Sequence, residues 1–375
     1  ILHLERKFTS ATETFIANQI NGIKKYPHSV FTIEYLDNLD TSAEVYAPPK
    51  NAYLSTKILR SAHKKYFQKQ LQIISPRIIH AHYLTDASMF HPLTKNLDLP
   101  KICSCYGYDV SVFPEKMKFF TRPYCHRVFD DYDLILAMTE EMENDLLKLG
   151  CPKEKLRVHY HGIDTKRFDT VRDYSLTNGK YNLLTIASLY PVKGHLTVLK
   201  AINELKESNP KIDIQYNLVG QGFYEAHLKN YVTSNGLTDI VHFHGAIRHG
   251  SKFNKFLERA NVFLHPSITT PENDKEGIPG ALVEAMASGL PVISTYHGGI
   301  PAVVEDRKTG FLVKEHDYLA VADKLRLLHE SELLRIEIGS NAKRYTKERL
   351  DIFEKSKNLT ALYEEAMNMH RTNRI

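Results

Sequence analysis

Short β-branched or apolar runs alternate with helical patterns along the whole chain, and this alternation restricts the fold more than any other feature. In the first half the runs are ILHLE (1–5), VFTIEYL (30–36), IIHAH (78–82), KICSCY (101–106), LILAM (134–138) and LRVHY (156–160). The second half repeats the rhythm with NLLTIASL (182–189), IDIQYNLVG (212–220), VHFHG (241–245), NVFLHPS (261–267), PVIST (291–295) and GFLV (310–313). Strands separated by helices form crossover units and parallel sheets rather than hairpins, so the fold class is α/β with two Rossmann-like, doubly wound sheets. The polar, turn-rich segment from Asp164 to Asn182 reads as a linker, which predicts domains over 1–168 and 169–345. A long helical pattern from Asn341 to His370 predicts a C-terminal element, 346–375, that packs back on the first domain. A length of 375 residues suits two cores facing a cleft.

Composition excludes more than it selects. With 42% hydrophobic and 25% charged residues the chain is neither disordered nor membrane-spanning. The absence of an 18-residue apolar window and of a secretory pattern gives a cytoplasmic expectation. Four cysteines, Cys103, Cys105, Cys125 and Cys151, form no zinc-type pairs and no disulfide framework, which fits a reducing compartment. A net charge of +5 is too mild to indicate nucleic acid. One run is more strongly basic: Lys57, Arg60, Lys64, Lys65 and Lys69 are interleaved with apolar residues at helical spacing and without an acid. It reads either as a solvated helix face or as a contact for an anionic membrane surface or phosphate-bearing acceptor, giving an expectation of peripheral association with the inner face of a membrane.

In open α/β sheets ligands bind beyond the carboxyl ends of the strands, so the strand-to-helix loops carry the candidate site. In EGIPGALVE, Glu276 lies in the loop after NVFLHPS, Pro279 suits the first helical position, and Glu284 lies about a turn and a half inside the helix. The amides of the helix start, with Gly280 permitting close approach, form an anion site between the two acids. Acid, amides and acid in sequence match a ligand with hydroxyls at both ends and phosphate between them, such as a nucleotide sugar. A glycosidase-type acid pair, a metal site completed by Asp274, and a solvated Glu284 are the other readings. Lys193, in IASLYPVKGH, reaches the mouth of the same sheet as a point charge for a diphosphate. LVGQGFYEAHL adds a Gly-x-Gly turn at Gly220, a weak signal alone. In the first half, FTSATETFIANQI leads a polar loop into a helix, where Thr12 and Glu13 either bind an acceptor or serve as a capping box. His80 and His82 share a strand face, but the sequence shows no third metal ligand beside them.

Taken together these motifs resemble the retaining GT-B glycosyltransferases of family 4, particularly the bacterial capsule and exopolysaccharide branch. The resemblance is carried by the E-x7-E pair Glu276 and Glu284 with its flanks through Val313, by Lys193 and Gly194, by SATETFIANQI, by YGYD at 106–109 and by HGID at 161–164. It implies a hexosyltransferase-type enzyme that moves a sugar from a nucleotide donor, UDP-linked by expectation, to a glycan or lipid-linked acceptor in surface polysaccharide synthesis, with no metal and no cofactor. By motif, Lys193 and Glu276 are catalytic and Glu284 holds the ribose. Ser188, Gly220, Ile247, Gly277, Ile278, Pro279 and Gly280 line the donor side, and Thr12, Glu13, Tyr106, Asp109 and His161 the acceptor and sugar side. Two departures stand out: Ser188 occupies the position where the family usually has arginine, leaving Lys193, the helix start or Arg248 to offset phosphate charge, and Tyr106 replaces a histidine. They leave open a catalytically weak nucleotide-sugar-binding protein; a GT-B-like phosphorylase or epimerase is the remaining alternative.

Overall fold

The computed structural model describes residues 1–9, 14–36, 40–48, 61–117, 121–176 and 179–372. The chain divides into two compact units, Ile1–Ile163 with Ile352–Ile375, and Asp164–Asp351. The boundaries thus lie at 163/164 and 351/352 rather than at 168/169 and 345/346. Phe168 packs near Phe253 of the second unit, with ring centroids 6.5 Å apart.

Among the described residues the first unit has nine strands: β1 (Leu2–Leu4), β2 (Lys7–Phe8), β3 (Ser29–Phe31), β4 (Glu34–Tyr35), β5 (Glu44–Tyr46), β6 (Ile79–His82), β7 (Lys101–Ser104), β8 (Leu134–Ala137) and β9 (Leu156–Val158). Seven form a parallel sheet in the order β5-β3-β1-β6-β7-β8-β9, and β2 pairs only with β4. The run expected as one strand over 30–36 is therefore split. Thr32 is the cause: its hydroxyl accepts the Phe8 N–H (3.2 Å) and donates to the Glu34 carbonyl (2.9 Å), breaking the ladder. The short β5 escaped the pattern because three residues are too few to show alternation.

Helices α1 (Thr14–Gly22), α2 (Ser61–Ile74), α3 (Leu84–Thr94), α4 (Val112–Met117), α5 (Thr121–Asp131) and α6 (Glu140–Lys148) connect these strands. The long C-terminal pattern is two helices, α12 (Glu332–Arg349) and α13 (Ile352–Thr372). The break falls where Asp351 accepts a hydrogen bond from the Thr165 hydroxyl and the Ile352 N–H donates to Ile163 (2.8 Å). Helix α13 buries Leu359, Tyr363 and Ala366 with Ile102, Leu134 and Leu136, so the C-terminal helix does belong to the first unit. The apolar contact offsets the entropy of ordering this terminal segment.

The second unit orders its parallel strands β12-β11-β10-β13-β14-β15, from β10 (Tyr181–Ile186), β11 (Ile214–Val219), β12 (Val241–Phe243), β13 (Val262–His265), β14 (Val292–Thr295) and β15 (Phe311–Val313). Its remaining helices are α7 (His195–Ser208), α8 (Glu225–Ser234), α9 (Ser251–Arg259), α10 (Gly280–Ala287) and α11 (Tyr318–Glu330). The sheet and α7 and α11 bury one apolar core, including Leu183, Val198, Leu218, Leu264, Val321 and Leu325. The expected linker is instead a strap on this unit. Arg172 donates to the carbonyls of Leu257 (2.6 Å), Ala260 (2.8 Å) and Ser288 (3.0 Å), and buried Arg335 donates to Tyr174 (2.9 Å). The Arg172 bonds satisfy carbonyls at the ends of α9 and α10 that have no partner within the helix. The four cysteines are free and buried. Among the described residues no helix is long and apolar enough to cross a membrane.

Candidate functional site

In the second sheet the strand order reverses between β10 and β13, so their carboxyl ends open onto a switch-point crevice. Strand β10 leads through Ser188 and a single 3-10 turn, Pro191–Lys193, into α7, whereas β13 leads through a loop into α10. Gly194 joins turn and helix with φ 69°, and a Cβ there would lie 1.7 Å from the Pro266 carbonyl oxygen. Only glycine allows the two loops to approach this closely. Gly298 does the same on the other side, where a Cβ would lie 2.2 Å from the Glu276 carbonyl oxygen.

That packing brings together Lys193 and Glu276, residues 83 apart in sequence, as an ion pair with side chains 20% and 11% exposed. Burial alone would push the Glu276 pKa up; the Lys193 ammonium and, behind it, His265 outweigh that and hold the carboxyl well below the usual carboxylate range. His265 Nε2 is 3.9 Å from Glu276 Oε1, too far for a direct hydrogen bond. Both ring nitrogens of His265, Nδ1 of His195 and the Ser267 hydroxyl are buried without a hydrogen-bond partner among the described residues. Buried polar atoms of this kind are normally satisfied, so a cluster of them at a switch point marks a polar ligand site.

The backbone of Glu276 is held by a relay. Its N–H donates to His297 Nε2 (3.0 Å), His297 Nδ1–H donates to Glu315 (2.8 Å), and Glu315 accepts from the Thr269 amide (2.7 Å) and hydroxyl (3.0 Å). The two ends fix the His297 tautomer. Burial raises the Glu315 pKa, but the Thr269 amide and His297 outweigh it and keep the carboxyl ionised. Sequence reasoning missed His265, His297 and Glu315. The signal available was the YHGG following β14, and nothing local pointed to Glu315 or to His265 inside a strand run.

Around this pair the donor-side residues fall as follows. Pro279 is the residue before α10 rather than its first helical position, and its carbonyl accepts from Leu282 (3.1 Å) and Val283 (3.3 Å). A helix can begin one residue later because its N-cap carbonyl already accepts. Gly277, Ile278 and Pro279 are buried, whereas Gly280 is exposed and a Cβ on it would meet nothing within 4 Å. Glu284 is not a solvated helix residue: its side chain is 14% exposed and Oε1 accepts from His249 Nε2 at 3.0 Å. Ser188 presents its carbonyl, not its side chain, to His195 Nε2 (2.9 Å). Gly220 donates to Gly245 (2.9 Å), tying the loop after β11 to the loop that carries Ile247 and Arg248.

In the first unit the structure brings Tyr106 and His161 together, with ring centroids 6.4 Å apart, beside Phe15 and Tyr83. Asp109 has a different role from the one expected. It is fully buried, and its carboxylate accepts the amides of Leu84 (2.8 Å), Tyr106 (3.0 Å) and Gly107 (3.0 Å), which staples the loops after β6 and β7. A carboxylate so committed positions Tyr106 rather than meeting a ligand. Thr12, Glu13, Lys57 and Arg60 lie outside the described residues. Lys64, Lys65 and Lys69 lie on α2, with His63 and Phe67 turned into the core and Lys65 and Lys69 exposed.

A family profile described as "Glycosyl transferases group 1" matches residues 167–345, and one described as "Glycosyltransferase Family 4" matches 12–167. The chain belongs to this glycosyltransferase family. Among curated relatives, WcaL of Escherichia coli, named as a candidate colanic acid biosynthesis glycosyltransferase, is 36% identical over 220 residues, 59% of this chain and 53% of that protein. The amylovoran biosynthesis glycosyltransferase AmsK of Erwinia amylovora is 34% identical over 220 residues, 58% and 53% of the two chains. The chain thus spans about half the length of these relatives. Among solved structures, HepE of Anabaena in complex with UDP superposes with a TM-score of 0.78 at 17% identity, over 97% of this chain and 98% of that one. WaaG, a glycosyltransferase involved in lipopolysaccharide biosynthesis, gives 0.70 at 15% identity over 97% and 99%. At that identity the likeness shows the fold alone, and the fold of this chain is GT-B: two Rossmann-like parallel-sheet units, with the C-terminal helix returned to the first.

Proposed function

We propose that the protein is a retaining glycosyltransferase that moves a sugar from a nucleotide donor, a UDP-sugar, to a glycan or lipid-linked glycan during exopolysaccharide synthesis. The observation that carries this reading is the Lys193–Glu276 pair at the β10/β13 switch point, beside the start of α10 and with Glu284 inside the same helix. Lys193 and the first amides of α10 offset the diphosphate charge, Glu284 accepts from the ribose hydroxyls, and Glu276 faces the sugar. As the bond between the anomeric carbon and the phosphate oxygen breaks, the fixed Glu276 carboxylate stabilises the positive charge that develops. The acceptor oxygen bonds the anomeric carbon on the same face, and its proton passes to the departing phosphate, so configuration is retained with no metal at the reacting centre. The relatives' names support a surface-polysaccharide acceptor, and the exposed Lys65 and Lys69 on α2 support an anionic membrane surface where a lipid-linked acceptor would be met.

The test is Glu276→Gln, which keeps shape and removes charge. Transfer and slow donor hydrolysis are expected to fall by about two to three orders of magnitude, with UDP affinity within a few-fold of wild type. Unchanged turnover would remove Glu276 from the chemistry. A wild-type protein that binds UDP-sugars yet never cleaves them would indicate a binding protein instead.

A further inference from the structure

Strand β6 ends in His-Ala-His, and alternation puts His80 and His82 on one face. Parallel pairing of β1 with β6 places His3 opposite His80, at the strand pair where the first sheet reverses its order. The sequence shows no third ligand because His3 is 77 residues away from His80 and meets it only through this register. All three imidazoles are at most 1% exposed, and one ring nitrogen of each lies within 4.8 Å of the other two.

The far nitrogens are equally well placed. His3 Nε2 is 2.9 Å from His28 Nδ1, and His28 Nε2 is 3.0 Å from the Ile23 carbonyl. A carbonyl only accepts, so His28 carries its proton on Nε2, His3 donates from Nε2, and His3 Nδ1 is a lone pair. That lone pair points at His82 Nε2, 3.0 Å away, while His82 Nδ1 is 2.8 Å from the Tyr106 hydroxyl. His80 has the Tyr363 hydroxyl 2.8 Å from Nδ1 and the Ser104 hydroxyl 2.8 Å from Nε2, so whichever nitrogen turns inward, the other keeps a partner. Metal-bound histidines characteristically have such a partner on the second nitrogen.

We propose that His3, His80 and His82 form a site for one divalent transition ion of the Zn2+ class, separate from the Lys193–Glu276 centre and not part of the transfer chemistry. Three neutral imidazoles with no carboxylate or thiolate in the group suit zinc and its neighbours rather than magnesium or calcium. The 3.0 Å between His3 Nδ1 and His82 Nε2 is close to the roughly 3.3 Å edge of a tetrahedron with metal–nitrogen bonds of about 2.0 Å. The ion replaces the proton between those two nitrogens, and His82 changes from the Nε2–H to the Nδ1–H tautomer while staying neutral, so the proton count is unchanged. Tyr106 is then reversed. Without the ion its O–H is committed to His82 Nδ1; with the ion its oxygen accepts from His82 Nδ1–H and its proton is free to bind a ligand. The ion site itself stands whether or not the transferase reading holds.

Because the ligands are buried, the full chain is refolded with Zn2+ or with chelator, desalted and assayed for metal. One equivalent of zinc is expected to remain, to fall below about a tenth in His3→Gln, and to persist in His244→Gln, whose histidine is exposed on the second unit. Cobalt loading is expected to give the visible band of a tetrahedral nitrogen site. Zinc lost on desalting, or retained equally by His3→Gln, would overturn the proposal. Nitrogen NMR of labelled wild-type protein makes the outcome independent of how the variant folds: His82 is expected to be Nε2–H without zinc and Nδ1–H with it. An unchanged tautomer overturns the site and leaves a closed chain of histidine hydrogen bonds.

Discussion

At the scale of single residues, the two acids of the site are each held by a second group. Glu276 is paired through its carboxylate to Lys193 and through its amide to His297, and Glu284 is held by His249. The latter arrangement matters for affinity, because a ribose must share or replace the His249 hydrogen bond. A charged acceptor bond to a ligand hydroxyl contributes about 2 kcal/mol, so Glu284→Ala is expected to weaken UDP binding by at least tenfold. Melting temperature should change little, since the lost partner is a half-buried histidine that can be hydrated. Calorimetry returning wild-type affinity for the variant would remove Glu284 from the ribose. Where the family has arginine, Ser188 contributes a carbonyl to His195, and the positive charge against Glu276 is that of Lys193.

At the scale of elements, the loops of the second sheet tolerate substitution very unequally. Gly194→Ala forces a Cβ to 1.7 Å from a backbone oxygen at φ 69°. Backbone strain alone costs about 1–3 kcal/mol, and the collision can be relieved only by separating the Lys193 turn from the β13 loop. A loss of more than about 3 kcal/mol, with donor binding abolished, is expected in urea unfolding and calorimetry. Gly280→Ala, by contrast, enters open space at a helix start and is expected to change stability by less than about 1 kcal/mol while weakening donor binding. Equal stability of the two variants would show that the Gly194 approach does not hold the site together. The same contrast explains what could be read from the chain. Strand runs, the placement of Glu276 and Lys193 in strand-to-helix loops and of Glu284 inside the helix that follows are local signals, and they were legible. The pairing of Lys193 with Glu276 depends on β10 lying beside β13, and His3 beside His80 depends on register; neither strand order nor register is written in any single window. The place of Asp109 in the loop after β7 was legible but not its contacts, because a carboxylate bound to three amides and one open to a ligand look alike in sequence.

At the scale of the whole molecule, both units fold around neutral buried histidines. Burial lowers the pKa of His159 to about 3 and of His161 to about 4 in the first unit. In the second, burial lowers His195 to about 4 and also lowers His265, against the opposing pull of Glu276. Each group has an ordinary value near 6.5 when the chain is unfolded. Below that pH the unfolded state binds more protons than the folded one, so stability is fully present above about 6.5 and is lost as pH falls towards 4. The two groups named in each unit alone correspond to about 3 kcal/mol per pH unit in that window, and the lowered His3, His28, His80 and His82 make the first unit at least as steep. Glu276 adds to the slope only below about pH 5, where the unfolded carboxyl, ordinarily near 4.5, takes up a proton while the folded one stays ionised. Scanning calorimetry at pH 7, 6 and 5 is therefore expected to show the transitions of both units moving to lower temperature together, while UDP affinity of the fraction still folded at pH 5 stays near its neutral value. A flat stability profile across this range would mean that the histidines are hydrated and charged in the native protein. A collapse of UDP affinity without a loss of stability would place the titrating group in the donor site itself.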